Sequence, residues 1–384
     1  MTDWTDVEAV YEALTDGYRE SVRVEELVFR AAAACPGRLP TPDQIAAERS
    51  LKQSQKAGLE LQQGEFLARL LARSRPGTHL VHSMLRPRPE SLARVDEFRA
   101  TGRADLGLAT VERIGGAGHV NLHNPRFLNA EDDGATAALE IGVDLVLLDP
   151  ACEVGVLRGA VVDHPRYAGR RVFNAGINLT HLYNGLISFV DFMIARELGL
   201  VAKIHRGLWL SDDWEGGLED TAEKPWIAAV ESFAIGGGCQ LLLVMDRVLA
   251  ERGAYFNLPA RKEGIVPGNA NQRLARFVGD RVARQAILFE RAFPVDEAAT
   301  AALCDRVVER EEMDAAIADD AGQLVSSGAT AAAANRKLLR LGQEPIDQFR
   351  RYMAVYSREQ SRCLYEPALI ANLERNWNAA GRRL

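Results

Sequence analysis

Apolar residues return at helical spacing through the first hundred positions: Val7, Val10, Tyr11 and Leu14, then Val24, Leu27, Val28 and Ala31. Cys35-Pro36-Gly37 interrupts the pattern. Thr41-Pro42 restarts it, with Thr41 as N-cap and Pro42 at the first helical position. Residues 45–72 then predict one long charged helix, and Arg86-Pro87-Arg88-Pro89 marks a further break. Residues 1–104 thus read as a helical N-terminal extension without visible chemistry. Beyond them the period changes. Residues 106–114 and 119–122 read as two strands joined across Gly115-Gly116-Ala117-Gly118, a hairpin. A helix is expected over 135–143, strands over 145–149 and 154–162, and a helix with Leu182, Leu186, Phe189, Val190 and Met193 on one face, ended by Arg196 and Glu197. The polar stretch 209–224 reads as a surface loop. Residues 225–230 form a short buried strand, and a helix is expected from the glycines at 236–238 to about Ala250. Helices follow over 271–278 and 281–289, another starts near 292–299, and 307–309 is a short strand. Residues 311–384 are helical.

Strands alternating with helices give an α/β class. The short strands and frequent turns point to a spiral of repeated turns more than to a doubly wound sheet. Three regions follow: the extension 1–104, a core 105–310 and a helical region 311–384.

Composition narrows the function. The chain has 384 residues, 47% hydrophobic and 26% charged, with a net charge of −7. That is a globular composition with no basic surplus for a nucleic-acid partner. The most apolar stretch, 186–201, is interrupted by Asp191, Arg196 and Glu197, so no membrane span is expected. The acidic start, Met1-Thr2-Asp3-Trp4-Thr5-Asp6, lacks an apolar signal core and predicts a cytoplasmic protein. Five scattered cysteines without a CxxC pair read as reduced thiols; Cys239, next to the glycines, is the one best placed for chemistry. His79 and His82 have a metal-compatible spacing but no further ligand to complete a site.

The stretch that carries chemistry is Ser232-Phe233-Ala234-Ile235-Gly236-Gly237-Gly238-Cys239-Gln240. Glycines between a strand and a helix let the backbone approach a ligand closely, and the helix start offers free N–H groups to an anionic oxygen.

With Ala175-Gly176-Ile177-Asn178-Leu179, and with Asp246-Arg247-Val248, Tyr255-Phe256-Asn257-Leu258-Pro259 and Glu263-Gly264-Ile265-Val266-Pro267-Gly268 downstream, this stretch resembles the crotonase (enoyl-CoA hydratase/isomerase) superfamily over roughly residues 106–310. The resemblance implies a crotonase-like spiral of two strands and a helix per turn that binds an acyl-CoA thioester. It assigns the two backbone donors of an oxyanion hole to Ile177 and Gly237. It also puts Gln240 and Ala260 where hydratases carry their two glutamates. Neither can act as a base, so hydration is not expected, and Glu263, three residues past Ala260, is the nearest acid that could substitute. The glutamine, the long extension and the segment 260–268 are similar to a branch of the family that oxidises (3,5-dihydroxyphenyl)acetyl-CoA with O₂ and no metal or flavin. That branch implies an arylacetyl-CoA dioxygenase with no cofactor, Gln240 as a catalytic position, Glu131, Arg196 and Gly238 in the substrate-binding set, and a homotrimer or homohexamer built through 311–384. Arg170, Arg171, Lys203, His205 and Arg206 are candidates for the CoA phosphates. The competing expectations are a thioester hydrolase or isomerase using Glu263 or a tyrosine, and a non-catalytic acyl-CoA-binding subunit.

Overall fold

The computed structural model describes residues 6–215, 220–326 and 328–384. Residues 1–5, on which the cytoplasmic expectation rests, and the Gly216-Gly217 pair of the expected surface loop lie outside the described residues. A seven-stranded sheet runs Arg103–Asp105, Ala109–Ile114, Ala117–Leu122, Val154–Gly159, Trp226–Val230, Arg247–Glu251, Arg306–Val308. The first three strands are antiparallel; from Ala117–Leu122 onward every pairing is parallel.

Parallel neighbours require crossovers, and the crossovers here build a second layer. After Trp226–Val230 the chain forms Phe233–Ile235 and then the helix Gly237–Leu242. After Arg247–Glu251 it forms Tyr255–Asn257 and then the helix Ala260–Glu263. Tyr255–Asn257 pairs in parallel with Phe233–Ile235, Asn174 bridges to Ala234, and Glu131 bridges to Ile177. Four successive turns of strand, second-layer strand or bridge, and helix therefore stack, as the strand pattern predicted.

Strand alternation sorts the two cores. Ile227 and Ala229 join Val154, Val156 and Leu249 against the helix Met313–Ser326, while Trp226, Ala228 and Val230 face Leu139, Val143 and Val146 of the helix Asp133–Leu148. A third core unites distant segments. Tyr11, Leu27, Phe66 and Leu80 pack with Phe189, Phe192 and Met193 and with Phe349, Met353 and Leu369. The helices Glu60–Ala72 and Ile346–Tyr365 touch so closely that a Cβ on Gly64 would lie 2.5 Å from Ser361 Cβ.

Several expected elements are corrected. The run 145–149 is the end of the helix Asp133–Leu148, not a strand; it is apolar because that helix is buried on most of its circumference. The helix after the glycines stops at Leu242, and Arg247–Glu251 is a strand. The stretch 45–72 is two helices, Pro42–Arg49 and Glu60–Ala72. The buried Glu48 carboxylate stabilises the break by accepting from the N–H groups of Ala57 (2.6 Å), Gly58 (3.0 Å) and Leu59 (3.3 Å). Near 292–299 there is the short strand Phe293–Pro294 and a 3₁₀ turn, Ala298–Thr300, in place of a helix. Arg196 and Glu197 do not end their helix. The chain winds as π-helix over Phe189–Ile194 and Arg196–Val201, then tightens to α over Ala202–Arg206.

His79 and His82 are packing residues. His79 Nδ1 lies 2.7 Å from the Tyr11 hydroxyl, His82 stacks on Trp209 at 4.0 Å, and burial pushes both down to about 4. Among the described residues no helix is long and apolar enough to cross a membrane, and no cluster of three or more His, Cys, Asp or Glu is placed to hold a metal ion. All five cysteines are free.

Candidate active site

The stacked turns end at one narrow cleft, open to solvent. Ile177, Gly236, Gly237 and Gln240 form one side. Phe192, Met193, Arg196 and Glu197 of the π-wound helix form its floor, and Ala260, Glu263 and Ile265 to Gly268, with Tyr356 from the C-terminal region, close it. π-winding shifts side-chain register inside a helix and recurs at functional sites. Here it aims residues 192, 193, 196 and 197 at the cleft together.

Both expected donors are present and unspent. Glu131 N–H donates to Gly176 O at 2.7 Å and Glu131 O accepts from Asn178 N–H at 2.7 Å, so the bridge skips Ile177 N–H. Gly237 N–H sits in the first turn of its helix, where no intrahelical acceptor exists. Among the described residues neither N–H has a protein acceptor. The two segments touch: a Cβ on Gly176 would come 3.2 Å from the Gly237 nitrogen.

Each glycine of the triplet has its own reason. Gly236 has φ +52, a backbone that side chains rarely adopt. A Cβ at Gly237 would meet Glu131 Oε1 at 2.6 Å and Arg196 Nη2 at 3.0 Å. At Gly238 it would meet Asn174 Cβ at 2.7 Å. Gly238 therefore packs against Asn174 and lines no part of the cleft, so the substrate contact expected of it is not offered here.

Arg196 is the hub beneath the donors. Nε donates to Glu131 Oε2 at 2.6 Å. Nη2 donates to Glu131 Oε1 at 3.0 Å and to Gly237 O at 2.9 Å. Nη1 donates to Glu197 Oε1 at 2.7 Å and to Gln240 Oε1 at 2.9 Å. These bonds use all five N–H groups of the guanidinium. Burial opposes its charge, but Glu131 and Glu197 outweigh burial and hold its pKa above the ordinary arginine value. Glu131 is fully buried, takes a further bond from Asn174 Nδ2 at 2.8 Å and lines no part of the cleft. The structure therefore brings Glu131, Arg196, Gly237 and Gln240 together, but with Glu131 behind Arg196 and not facing the ligand space.

Gln240 Oε1 is fixed by Arg196, which leaves its amide NH₂ without a protein partner on the cleft side. Glu197 is spent: Oε1 on Arg196 and Oε2 on the N–H of Asn269 at 3.0 Å. Among the described residues the Glu263 carboxylate has neither hydrogen bond nor ion pair, and burial pushes it up to about 7. Cys239 is buried and its thiol is pushed up to about 12, which keeps it neutral and unreactive.

The basic candidates for CoA phosphates are corrected in part. Lys203 is fully buried between Glu140 and Asp144, 2.8 Å from each. Arg206 pairs with the buried Glu344 at 3.1 Å, and His205 is buried and held neutral by that burial. Their short helix is enclosed on all sides, so none faces a ligand. Arg170 and Arg171 are partly exposed, paired with Glu251 at 2.8 Å and with Gly159 O at 3.0 Å. Sequence reasoning missed Asn174, Glu197, Gly268 and Tyr356. Gly268 sits in a segment already singled out and Asn174 directly precedes one; Tyr356 had no signal, because its helix reaches the cleft only through tertiary packing.

Residues 214–359 match the enoyl-CoA hydratase/isomerase family model. The chain is 48% identical over 366 residues to the (3,5-dihydroxyphenyl)acetyl-CoA 1,2-dioxygenase of Amycolatopsis orientalis, covering 95% of this chain and 83% of that one. It is 32% identical over 209 residues to the crotonyl-CoA hydratase of Syntrophomonas wolfei subsp. wolfei, covering 54% of this chain and 71% of the relative. Its fold matches crystal structures of enoyl-CoA hydratases from Mycobacterium avium subsp. paratuberculosis (TM-score 0.58, 22% identity, 70% of this chain and 98% of that) and Bacillus halodurans (TM-score 0.58, 20% identity, 70% and 100%).

Proposed function

We propose a function from the premise that this chain belongs to the enoyl-CoA hydratase/isomerase family: it is a dioxygenase that converts (3,5-dihydroxyphenyl)acetyl-CoA and O₂ to (3,5-dihydroxyphenyl)glyoxylate and CoA. The observation that carries the reading is that Ile177 and Gly237, whose N–H groups have no acceptor among the described residues, line one cleft with Gln240 and Ala260. The family resemblance makes the first two an oxyanion hole and puts the other two where hydratases have glutamates. The 48% identity to the named dioxygenase supports the substrate.

The thioester oxygen takes the Ile177 and Gly237 donors, each worth roughly 2.7–4 kcal/mol as negative charge develops. The α-carbon, acidified by carbonyl and ring, gives up a proton and the enolate passes one electron to O₂. Radical recombination forms the α-peroxide, which attacks the thioester carbonyl and expels the CoA thiolate. Cleavage of the O–O bond with loss of the second α-hydrogen leaves the keto acid. Both oxygen atoms enter the product, and the enolate is the reductant, so the sequence asks for no metal or flavin. The free Gln240 amide donates to the substrate. Glu131 and Arg196 hold the Gly237 peptide in place and in this reading need not touch the ring. The apolar wall of Phe192, Met193, Ile265 and Val266 excludes water from the enolate.

The reading includes a cytoplasmic enzyme, in keeping with its free thiols, and a trimer or hexamer, supported by the exposed Phe289, Leu338 and Leu339 and checked by light scattering. Metal-stripped protein supplied with the arylacetyl-CoA should take up O₂ and release thiol one for one. Thiol release under nitrogen identifies a hydrolase instead, and binding without turnover a non-catalytic subunit.

A further inference from the structure

One acid in the cleft has no assignment. Ala260 and Glu263 lie three apart on the short helix Ala260–Glu263, so they share a face, and both line the cleft that holds Ile177 and Gly237. The acid missing at position 260 is thus replaced by one a helical turn further on, at the same wall. The other acids around the donors are committed: Glu131 to Arg196 and Asn174, Glu197 to Arg196 and the Asn269 N–H. The Tyr356 hydroxyl is pushed further from ionising by burial, so it stays protonated. Among the described acids around the cleft, only Glu263 keeps a carboxylate free of protein bonds. Its helix is held from behind, since a Cβ on Gly264 would lie 3.1 Å from Leu369 Cα, and Asn376 Nδ2 donates to Lys262 O at 3.1 Å.

We propose that Glu263 is the general base that removes the α-proton of the thioester. The inference rests on the enolate-forming reading above. The α C–H bond breaks, its electron pair becomes the enolate held by Ile177 and Gly237, and the proton resides on a Glu263 oxygen. That carboxylic acid can then return the proton to the departing CoA thiolate. When the O–O bond breaks, the second α-hydrogen leaves as a proton and its C–H electron pair forms the keto group. The regenerated Glu263 carboxylate takes that proton and passes it to solvent, which closes the balance without a further reagent. Burial in the cleft pushes Glu263 up to about 7, near the working pH that suits a general base. The charged groups around it are Lys262 on its own helix, Glu290 at the end of the helix Ala270–Phe289, Arg261 paired with Glu290, and Arg196 and Glu197 across the cleft.

The test is anaerobic exchange of the α-hydrogens of (3,5-dihydroxyphenyl)acetyl-CoA in D₂O, which needs no O₂ chemistry. Glu263→Gln should slow exchange by about 100-fold or more, with the thioester Kd changed less than about threefold. Glu263→Asp should keep part of the rate. Exchange by the native chain should rise with pH through about 7, and that limb should vanish in the glutamine variant. Among the described residues the Glu263 carboxylate has no bond to lose, so the variant should fold, as circular dichroism will verify. Exchange by Glu263→Gln within threefold of the native rate, or a persisting limb, overturns the assignment. If the native chain exchanges but takes up no O₂, the base stands and the dioxygenase reading falls. If Glu263→Gln takes up O₂ at the native rate, the dioxygenase stands and the base falls.

Discussion

Replacing Arg196 by Met keeps most of the side-chain volume and removes the charge beneath the proposed oxyanion hole. Five hydrogen bonds are lost, three of them to carboxylates. Glu131, with no exposed surface, keeps only Asn174 and becomes a carboxylate without its countercharge. Charged hydrogen bonds contribute about 1.5–3 kcal/mol and neutral ones about 0.5–1.5, but these five act as one unit, so their sum overstates the loss. Breaking a buried pair by removing one partner costs about 3–5 kcal/mol, and the upper half of that range fits a hub with two acids. Adding Glu131→Gln removes the stranded charge, so the double variant should be less destabilised than the two single changes together, by about 1–3 kcal/mol. Urea unfolding at pH 7 gives the four stabilities of the cycle. Because Arg196 also holds Gly237 O, loss of that peptide's alignment should lower kcat about 10²–10³-fold. A destabilisation under 1 kcal/mol, or additivity of the two changes, would refute the claim that this pair fixes the oxyanion hole.

Gly268→Ala would put a Cβ against the Glu197 carboxylate and 2.6 Å from Gln240 Oε1 at a φ of +44; we expect about 1–3 kcal/mol of destabilisation and a raised KM in substrate titrations. Lys203→Met strands Glu140 and Asp144 in the interior and should cost about 3–5 kcal/mol with KM unchanged, which separates interior lysine from phosphate ligand. Glu263 contributes a pH dependence of its own. Its folded-state pKa of about 7 lies above the unfolded value of 4.5, so the folded state binds the proton more tightly. Stability falls as pH rises between those values, and Glu263→Gln should raise Tm above pH 7 but not below pH 4.5. The gain should be on the order of 1–3 kcal/mol, given the open side of the cleft.

What could be read from residues followed periodicity and local chemistry. The Thr41 cap was legible because its capping box with Gln44 is local, and Trp226–Val230 because it is short and wholly apolar. The run 145–149 misled because a helix enclosed by sheet and neighbours is as uniformly apolar as a buried strand. The spiral repeat left no fixed period, since insertions such as 184–225 separate equivalent turns. Ile177, Gly237 and Gln240 were singled out through the family resemblance of their segments, and the structure brings all three to one cleft. That Glu131 stands behind Arg196 was not, because it depends on a π-wound helix whose register no local pattern announces.

The helix Ile346–Tyr365 lies on Glu60–Ala72, with Gln53 Nε2 donating to Leu364 O across 311 positions. This sets an order of events during synthesis. The helix Glu60–Ala72 leaves the ribosome with an apolar face whose cover, Ile346–Tyr365, is made much later in the chain. At roughly 5–20 residues per second, it waits tens of seconds for that cover. During that interval the uncovered face is open to misassociation, and a variant lacking Ile346–Tyr365 would keep the strands of the spiral but lose the Tyr356 wall of the cleft.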